Sequence, residues 1–198
     1  MSRVLKWKAR ALAKRHGHAA TLVRVSFCYL MAWCVSGGAN AASLAPTDVF
    51  VQAGIGDQKT IAHLAGLKWR LPCNYTFRFV GFTASIEAAI GRWHTEGSED
   101  GSAWPTQISA TPTVRVHPAG ASSWFAEIGL GANYIVPLFK TGFKRFSTEF
   151  NFGDHFAIGR TLGRSELSLR VEHFSNAGIS HPNPGENFVQ LRYSYRFK

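Results

Sequence analysis

A histidine and a serine stand two positions apart near the end of the chain, at His173 and Ser175. Serine is a poor nucleophile until a neighbouring base accepts its proton, and histidine titrates in a range where it can do so. Alternate residues of a β-strand lie on one face, about 6.5 Å apart. In a strand the imidazole can therefore reach the hydroxyl, and the pair could act as a nucleophile and its base. The pair also has a simpler interpretation, in which the histidine belongs to an interfacial belt and Ser175-Asn176 only begins a turn.

The residues before this pair show the alternation expected of a strand. Leu167, Leu169 and Val171 share one parity, and the intervening positions are polar or charged. His173 and Ser175 continue the parity of the apolar residues. The pattern therefore predicts that both side chains leave the strand on its apolar face, near one end.

Similar alternating runs, separated by Gly, Pro, Ser or Asp clusters, cover most of the chain after residue 48. We predict strands near residues 49–56, 61–70, 76–93, 107–116, 126–134, 149–159, 166–175 and 189–197. Residues 72–74 are predicted to form a turn, and the polar residues 96–103 a loop. An even number of strands is typical of bacterial outer-membrane barrels.

The last strand indicates which kind of β-protein this is. Its odd positions, from Val189 to Phe197, are apolar or aromatic, whereas its even positions are polar. In an outer-membrane barrel the apolar face meets lipid and the polar face fills the lumen. A soluble periplasmic β-sandwich would have to bury one of these faces and is the weaker interpretation. The fold prediction is an all-β, eight-stranded antiparallel transmembrane barrel. Its expected lumen charges are Arg115, Glu127, Glu149, Arg170, Glu172, Arg192 and Arg196.

The formal charge of +10 comes mostly from the N-terminus. Residues 1–41 hold seven of the 22 Lys and Arg and no acid, so the remainder carries 15 basic and 12 acidic residues, a net +3. This distribution argues against nucleic-acid binding. Basic residues, a short apolar stretch and Ala39-Asn40-Ala41 predict a cleavable signal peptide at 1–41, followed by the exported barrel at 42–198. An N-terminal anchoring helix is the alternative.

The C-terminal motif resembles a known family. His173-Phe174-Ser175-Asn176-Ala177-Gly178-Ile179, followed by Pro182-Asn183-Pro184-Gly185, is similar to the signature of the lipid A 3-O-deacylase (PagL-type) family of Gram-negative outer membranes. The run Phe152-Gly153-Asp154-His155 and the last strand share the likeness. The resemblance implies an eight-stranded outer-membrane barrel that hydrolyses the 3-position ester of lipid A, with Ser175 as nucleophile and His173 as base.

The third catalytic position departs from the family pattern. The family has an acid two residues after the glycine, where this chain has Asn187, and Glu186 lies one residue earlier. Strand parity places Asn187 on the outer face and Glu186 on the inner face. We expect Glu186 to orient His173, because a carboxylate stabilises the imidazolium, and keep Asn187 as the alternative, as in Cys-His-Asn enzymes.

The resemblance also implies that Asn176 is needed for activity, and its amide or backbone N–H could stabilise an oxyanion. Gly178 and Asn183 are weaker candidates, since shaping the turn is an equally good role for them. No cofactor or metal is expected, and His155 and His181 receive no role. The expected partners are lipid A and the outer membrane, and a homodimer stays open. A catalytically weak structural or lipid-binding barrel is the alternative function.

Overall fold

Eight antiparallel strands form a closed barrel in the computed structural model, which describes residues 45–95, 104–120 and 122–197. Each strand pairs with its neighbours in the chain, and β1 pairs with β8 to close the barrel. The fold prediction is confirmed. The strands are β1 (Asp48–Gly56), β2 (Ile61–Phe77), β3 (Val80–His94), β4 (Thr106–Pro118), β5 (Trp124–Val136), β6 (Phe150–Leu162), β7 (Ser165–Ser175) and β8 (Glu186–Arg196).

The two faces of the wall follow the alternation in the sequence. In β8, Val189, Leu191 and Tyr193 are exposed on the outside, whereas Gln190, Arg192 and Ser194 are buried inside. An outward apolar face and an inward polar face are typical of a barrel surrounded by lipid. In the described part of the chain, no helix is long and apolar enough to cross a membrane.

Charged side chains fill the lumen as mutual partners. The Glu87 carboxylate meets Lys68 Nζ at 3.2 Å and Arg192 Nη1 at 2.7 Å. Arg115 bridges Glu127 and Glu166, at 2.7 and 2.6 Å. Removing one member of such a buried pair leaves an uncompensated charge, which costs about 3–5 kcal/mol. The lumen charges are therefore stable only while they remain paired with one another.

An aromatic cluster closes the lumen beneath one set of connections. The Trp93 ring lies edge to face with Phe174 at 5.0 Å between centroids and contacts Phe188 at 4.8 Å. Phe139 and Phe146, from the β5–β6 connection, also pack edge to face with Trp93. Because Phe174 lies between His173 and Ser175 in sequence, this packing anchors the end of β7.

The connections at the two ends of the barrel differ in length. β2–β3 and β6–β7 are joined by two-residue turns, whereas β5–β6 and β7–β8 are joined by the long segments 137–149 and 176–185. His173 and Ser175 lie at the end with the long connections. In outer-membrane barrels, the longer loops are extracellular and the turns periplasmic.

Three expectations differ from the structure. Residues 72–74 are not a turn but lie within β2, where the register shifts between Arg70 and Asn74. The predicted strand at 76–93 is interrupted by a turn at Arg78-Phe79. Glu149 is not in the lumen, because it precedes β6 and accepts a hydrogen bond from the outward-facing Tyr134 hydroxyl. The predicted signal peptide and the loop at 96–103 lie outside the described residues.

Candidate active site

His173 and Ser175 lie on the outer face at the end of β7. The strand stays regular through Ser175, so both side chains keep the parity of the exposed Val171. The ladder places Phe152 opposite Ser175, and places Asp154 and Asn187 on either side of His173. Both side chains are half-buried. The pair is therefore open to the lipid boundary and turned away from the lumen.

The imidazole has a defined partner on β8. His173 Nδ1 lies 2.8 Å from Asn187 Oδ1. A carbonyl oxygen can only accept, so Nδ1 is the donor, and in the neutral ring Nε2 is then the acceptor. Among the described residues, no hydrogen bond joins His173 to Ser175. Catalytic hydrogen bonds are often long without substrate and shorten when it binds.

Glu186, the expected orienting residue, does not contact His173. It is 1% exposed, faces inward beside Phe174, and its Oε2 accepts a hydrogen bond from Lys144 Nζ at 3.0 Å. The physical reason is that β8 begins at Glu186, so regular alternation already holds there and turns Asn187 outward. The alternative residue Asn187 therefore occupies the position beside the imidazole.

Asn176 organises the β7–β8 loop through its whole amide. Its Nδ2 donates to Ser147 Oγ and to the Ser180 carbonyl, both at 2.9 Å, and its Oδ1 accepts from Gly178 N–H at 2.9 Å. Its backbone N–H donates to Asn183 Oδ1 at 3.1 Å. The side chain is 1% exposed. All the donors of Asn176 are thus occupied, within this loop and by Ser147 of the β5–β6 connection.

Gly178 and Asn183, the two weaker oxyanion candidates, differ in whether a hydrogen-bond donor is still available. The Gly178 N–H is occupied by Asn176, and its φ of +82° suits glycine at a turn. The Asn183 side chain is held beside the Ser175–Asn176 peptide through its oxygen. In the described residues, no acceptor contacts its Nδ2. Asn183 therefore keeps its side-chain NH₂ group available, while its oxygen is bonded to the residue that follows Ser175.

Asp57, which sequence reasoning missed, completes the surroundings of Asn187. Its Oδ2 accepts from Asn187 Nδ2 at 3.0 Å and from Lys144 Nζ at 2.6 Å. The hydrogen bond from Lys144 lowers the pKa of Asp57 below its ordinary value. Burial disfavours the Lys144 ammonium, but its bonds to Asp57 and Glu186 outweigh this and raise its pKa. The only sequence signal was a charged turn after the first strand.

The remaining histidines are separate from this site. His155 is buried in the lumen, with Nδ1 3.3 Å from Arg170, and His181 is exposed in the β7–β8 loop. In residues 45–95, 104–120 and 122–197, no group of three or more His, Cys, Asp or Glu could hold a metal ion.

Comparisons with known proteins agree on one family. The sequence model of a family described as lipid A 3-O-deacylase (PagL) matches residues 63–196. Lipid A deacylase PagL of Bordetella bronchiseptica is 35% identical over 157 residues, which cover 75% of this chain and 83% of that protein. The same-named protein of Pseudomonas aeruginosa is 27% identical, covering 78% and 88%. The crystal structure of the outer membrane enzyme PagL matches with a TM-score of 0.67 and 25% identity, covering 76% of this chain and 99% of that chain.

Proposed function

The chain belongs to the lipid A 3-O-deacylase (PagL) family, and we propose that it hydrolyses the 3-position acyl ester of lipid A with Ser175 as nucleophile and His173 as general base. It is an ester hydrolase of the outer membrane. Residues 1–41 direct export and are removed, and residues 42–198 form the mature enzyme. The observation that carries the proposal is the hydrogen bond of His173 to Asn187 on the outer face, with Ser175 next along that face.

The first half of the reaction transfers the acyl group to the enzyme. Ser175 Oγ attacks the ester carbonyl as its proton passes to His173 Nε2. The tetrahedral intermediate then expels the 3-oxygen of the sugar, which takes that proton from the imidazolium. The result is an acyl-serine and a lipid A that lacks one chain. Asn187 Oδ1 keeps the hydrogen on Nδ1 throughout, so Nε2 is the nitrogen that exchanges protons.

The second half regenerates the serine. His173 Nε2 accepts a proton from water as the water oxygen attacks the acyl carbonyl, and the proton then returns to Ser175 Oγ. The released product is a free fatty acid. No cofactor or metal is needed to balance these steps.

The oxyanion donor that we assign is the side chain of Asn183. Its oxygen is fixed by the N–H of Asn176, the residue after Ser175, which supports a role for its Nδ2 as donor to the ester carbonyl. A preorganised donor of this kind contributes about 2.7–4 kcal/mol to transition-state stabilisation. Asn176 then acts indirectly, because it fixes the loop and Asn183. Glu186 supports the site from beneath through Lys144.

The position on the wall suits a substrate that stays in the membrane. The exposed residues Val171 and Val189 follow His173 and Asn187 along the outer face of β7 and β8, away from the loops. An acyl chain lying against this face places its ester near the loop end of the barrel. The substrate can therefore reach Ser175 by lateral diffusion, without entering the charged lumen.

Mass spectrometry of lipid A from cells that express wild type or Ser175→Ala tests this function. Wild type is expected to produce lipid A lighter by one 3-linked acyl chain, and Ser175→Ala to leave lipid A intact. Ser168→Ala, a lumen-facing serine on the same strand, is the matched control and retains activity. Intact lipid A from cells with correctly folded wild type would favour a structural or lipid-binding barrel.

A further inference from the structure

We propose that Asp57 is a positioning residue for catalysis, which acts through Asn187 to select the productive tautomer of His173. The inference rests on the proposed function. Asp57 lies in the short β1–β2 connection, before residues 63–196 that the family model matches. It belongs to neither the strand nor the loop that carries the His-x-Ser motif.

The argument begins with the ambiguity of an amide. A carboxylate beside His173 could only accept a hydrogen bond, and would hold the hydrogen on Nδ1. Asn187 could present either its oxygen or its NH₂ group to the imidazole. With the NH₂ group toward Nδ1, the hydrogen of the neutral ring would move to Nε2, and His173 could not accept the proton of Ser175. An asparagine here therefore needs a neighbour that determines which way its amide faces.

Asp57 supplies that neighbour. Its Oδ2 lies 3.0 Å from Asn187 Nδ2, while Asn187 Oδ1 lies 2.8 Å from His173 Nδ1. An ionised carboxylate accepts but does not donate, so the amide nitrogen faces Asp57 and the oxygen faces His173. The chain of contacts has one direction, from His173 Nδ1–H through Asn187 to Asp57.

Lys144 holds Asp57 in place and ionised. Its Nζ donates to Asp57 Oδ2 at 2.6 Å, to Glu186 Oε2 at 3.0 Å and to the Gly185 carbonyl at 3.1 Å. The ammonium thus joins the β1–β2, β5–β6 and β7–β8 connections at one point. The Asp57 side chain is itself 40% exposed, so this contact is what keeps the carboxylate directed at Asn187.

The other carboxylate near the imidazole does not have this geometry. Asp154 is the ladder neighbour of His173 on β6 and shares the outer face. Within the described residues, no hydrogen bond or ion pair joins its carboxylate to His173. The charge of a nearby carboxylate therefore does not explain which way the Asn187 amide faces. The two hydrogen bonds of Asn187 do explain it.

Kinetics of acyl release from purified lipid A in detergent test the proposal in two backgrounds. We expect Asp57→Ala to lower kcat about tenfold or more with little change in KM, since a misdirected base loses part of the 10²–10⁴-fold that general-base catalysis contributes. Asn187→Asp places a carboxylate directly on Nδ1. Adding Asp57→Ala to Asn187→Asp is therefore expected to change kcat by less than about threefold, because the amide no longer needs orienting.

Glu149→Gln is the matched control, since it removes a carboxylate at the same end of the barrel that contacts Tyr134 instead of Asn187. We expect it to retain wild-type kcat. An unchanged kcat in Asp57→Ala would overturn the proposal. So would an equal loss in both backgrounds, which would mean that Asp57 acts on the fold or on the substrate.

Nitrogen-15 NMR of the imidazole in detergent micelles provides a readout that does not depend on activity. At alkaline pH, wild type is expected to show His173 with hydrogen on Nδ1, assigned by difference from His173→Gln. Asp57→Ala is expected to populate the Nε2–H tautomer, and Asp154→Asn to leave the spectrum unchanged. The same tautomer in wild type and Asp57→Ala would refute the proposal, even if the enzyme proved inactive on lipid A. Inactivity of wild type alone would contradict only the proposed function.

Discussion

The backbone of Gly185 lies close against the imidazole of His173. Its φ is +68°, and a β-carbon built on it would lie 2.7 Å from His173 Cε1 and 3.4 Å from Nε2. Real β-carbons almost never approach another heavy atom as closely as 2.7 Å. The ring is therefore held between Asn187, bonded to Nδ1, and the Gly185 backbone.

Gly185→Ala is expected to displace the imidazole and lower kcat about 100-fold, because a shift of about 1 Å near the reacting groups has costs of this size. Gly163→Ala is the matched control, with a similar φ of +66° and nothing within 4 Å of the added carbon. Both variants bear about 1–2 kcal/mol of backbone strain. What distinguishes them is the contact of the added carbon with His173, together with a milder one of 3.3 Å with the Phe174 carbonyl oxygen. Deacylation rates and urea unfolding of both variants check this, and equal rates would contradict the assigned position of His173.

Lys144→Met is expected to destabilise the loop end of the barrel. The substitution leaves the buried carboxylate of Glu186, which is 1% exposed, without its cation. The free energy of unfolding is expected to fall by up to about 3 kcal/mol. The double variant Lys144→Met/Glu186→Gln removes both charges and is expected to recover most of this stability. Urea unfolding measures the loss, and protease sensitivity of the loops localises it.

Arg145→Met is a suitable control for Lys144, because it removes an exposed cation from the same loop. Its unfolding midpoint is expected to match wild type. A similar loss in Arg145→Met, or no recovery in the double variant, would show that the ion pair with Glu186 is not the cause.

The contribution of Asp57 to stability is expected to depend on pH in a defined direction. The hydrogen bond from Lys144 lowers the pKa of Asp57 in the folded state. The contribution is therefore complete when the pH is above the pKa of the unfolded state, about 3.9. It is lost as the pH falls through the pKa of the folded state. The carboxylate is partly exposed, so the effect is at most about 1 kcal/mol.

Comparing the unfolding free energies of wild type and Asp57→Asn from pH 8 to pH 3 checks this sign. The difference is expected to stay constant down to about pH 5 and to shrink below about pH 4. A difference that grows as the solution becomes acidic would contradict the pairing with Lys144.

Asn176 and Asn183 are expected to fail in different ways. Asn183→Ala removes the oxyanion donor and should lower kcat about 10²–10³-fold with a normal unfolding midpoint. Asn176→Ala empties a buried side-chain position and removes the hydrogen-bond partner of the Ser147 hydroxyl, the Ser180 carbonyl and the Gly178 N–H, so both stability and kcat should fall. Circular dichroism with kinetics on both variants separates the roles. Full activity in Asn183→Ala would show that Asn183 is not the oxyanion donor.

The sequence predicted the wall of the barrel and the face of the motif because both depend on local alternation. Val171, His173 and Ser175 share one parity, and a regular strand carries that parity to its last residue. Strand alternation also places Asn187 outside and Glu186 inside. The expectation that Glu186 orients His173 was wrong because it gave more weight to the charge of the carboxylate than to this alternation.

The contacts that order the site were not predictable in the same way. Asp57 and Lys144 come from two connections and Asn187 from the start of β8, and they meet only because β1 closes on β8 and the β5–β6 segment folds over the end. Neither the closure of the barrel nor the path of the β5–β6 segment produces a periodic pattern in the sequence. The closed loop network of Asn176 depends similarly on the turn conformation of Ala177 and Gly178, both with positive φ.

Covalent labelling of Ser175 tests the central claim most directly. The protein in detergent is treated with a fluorophosphonate, a reagent for activated serines, or quenched during turnover of lipid A, and its peptides are examined by mass spectrometry. We expect an adduct on Ser175 in wild type and a strong reduction of labelling in His173→Gln. Turnover of lipid A with no adduct on Ser175 under either condition would contradict the account.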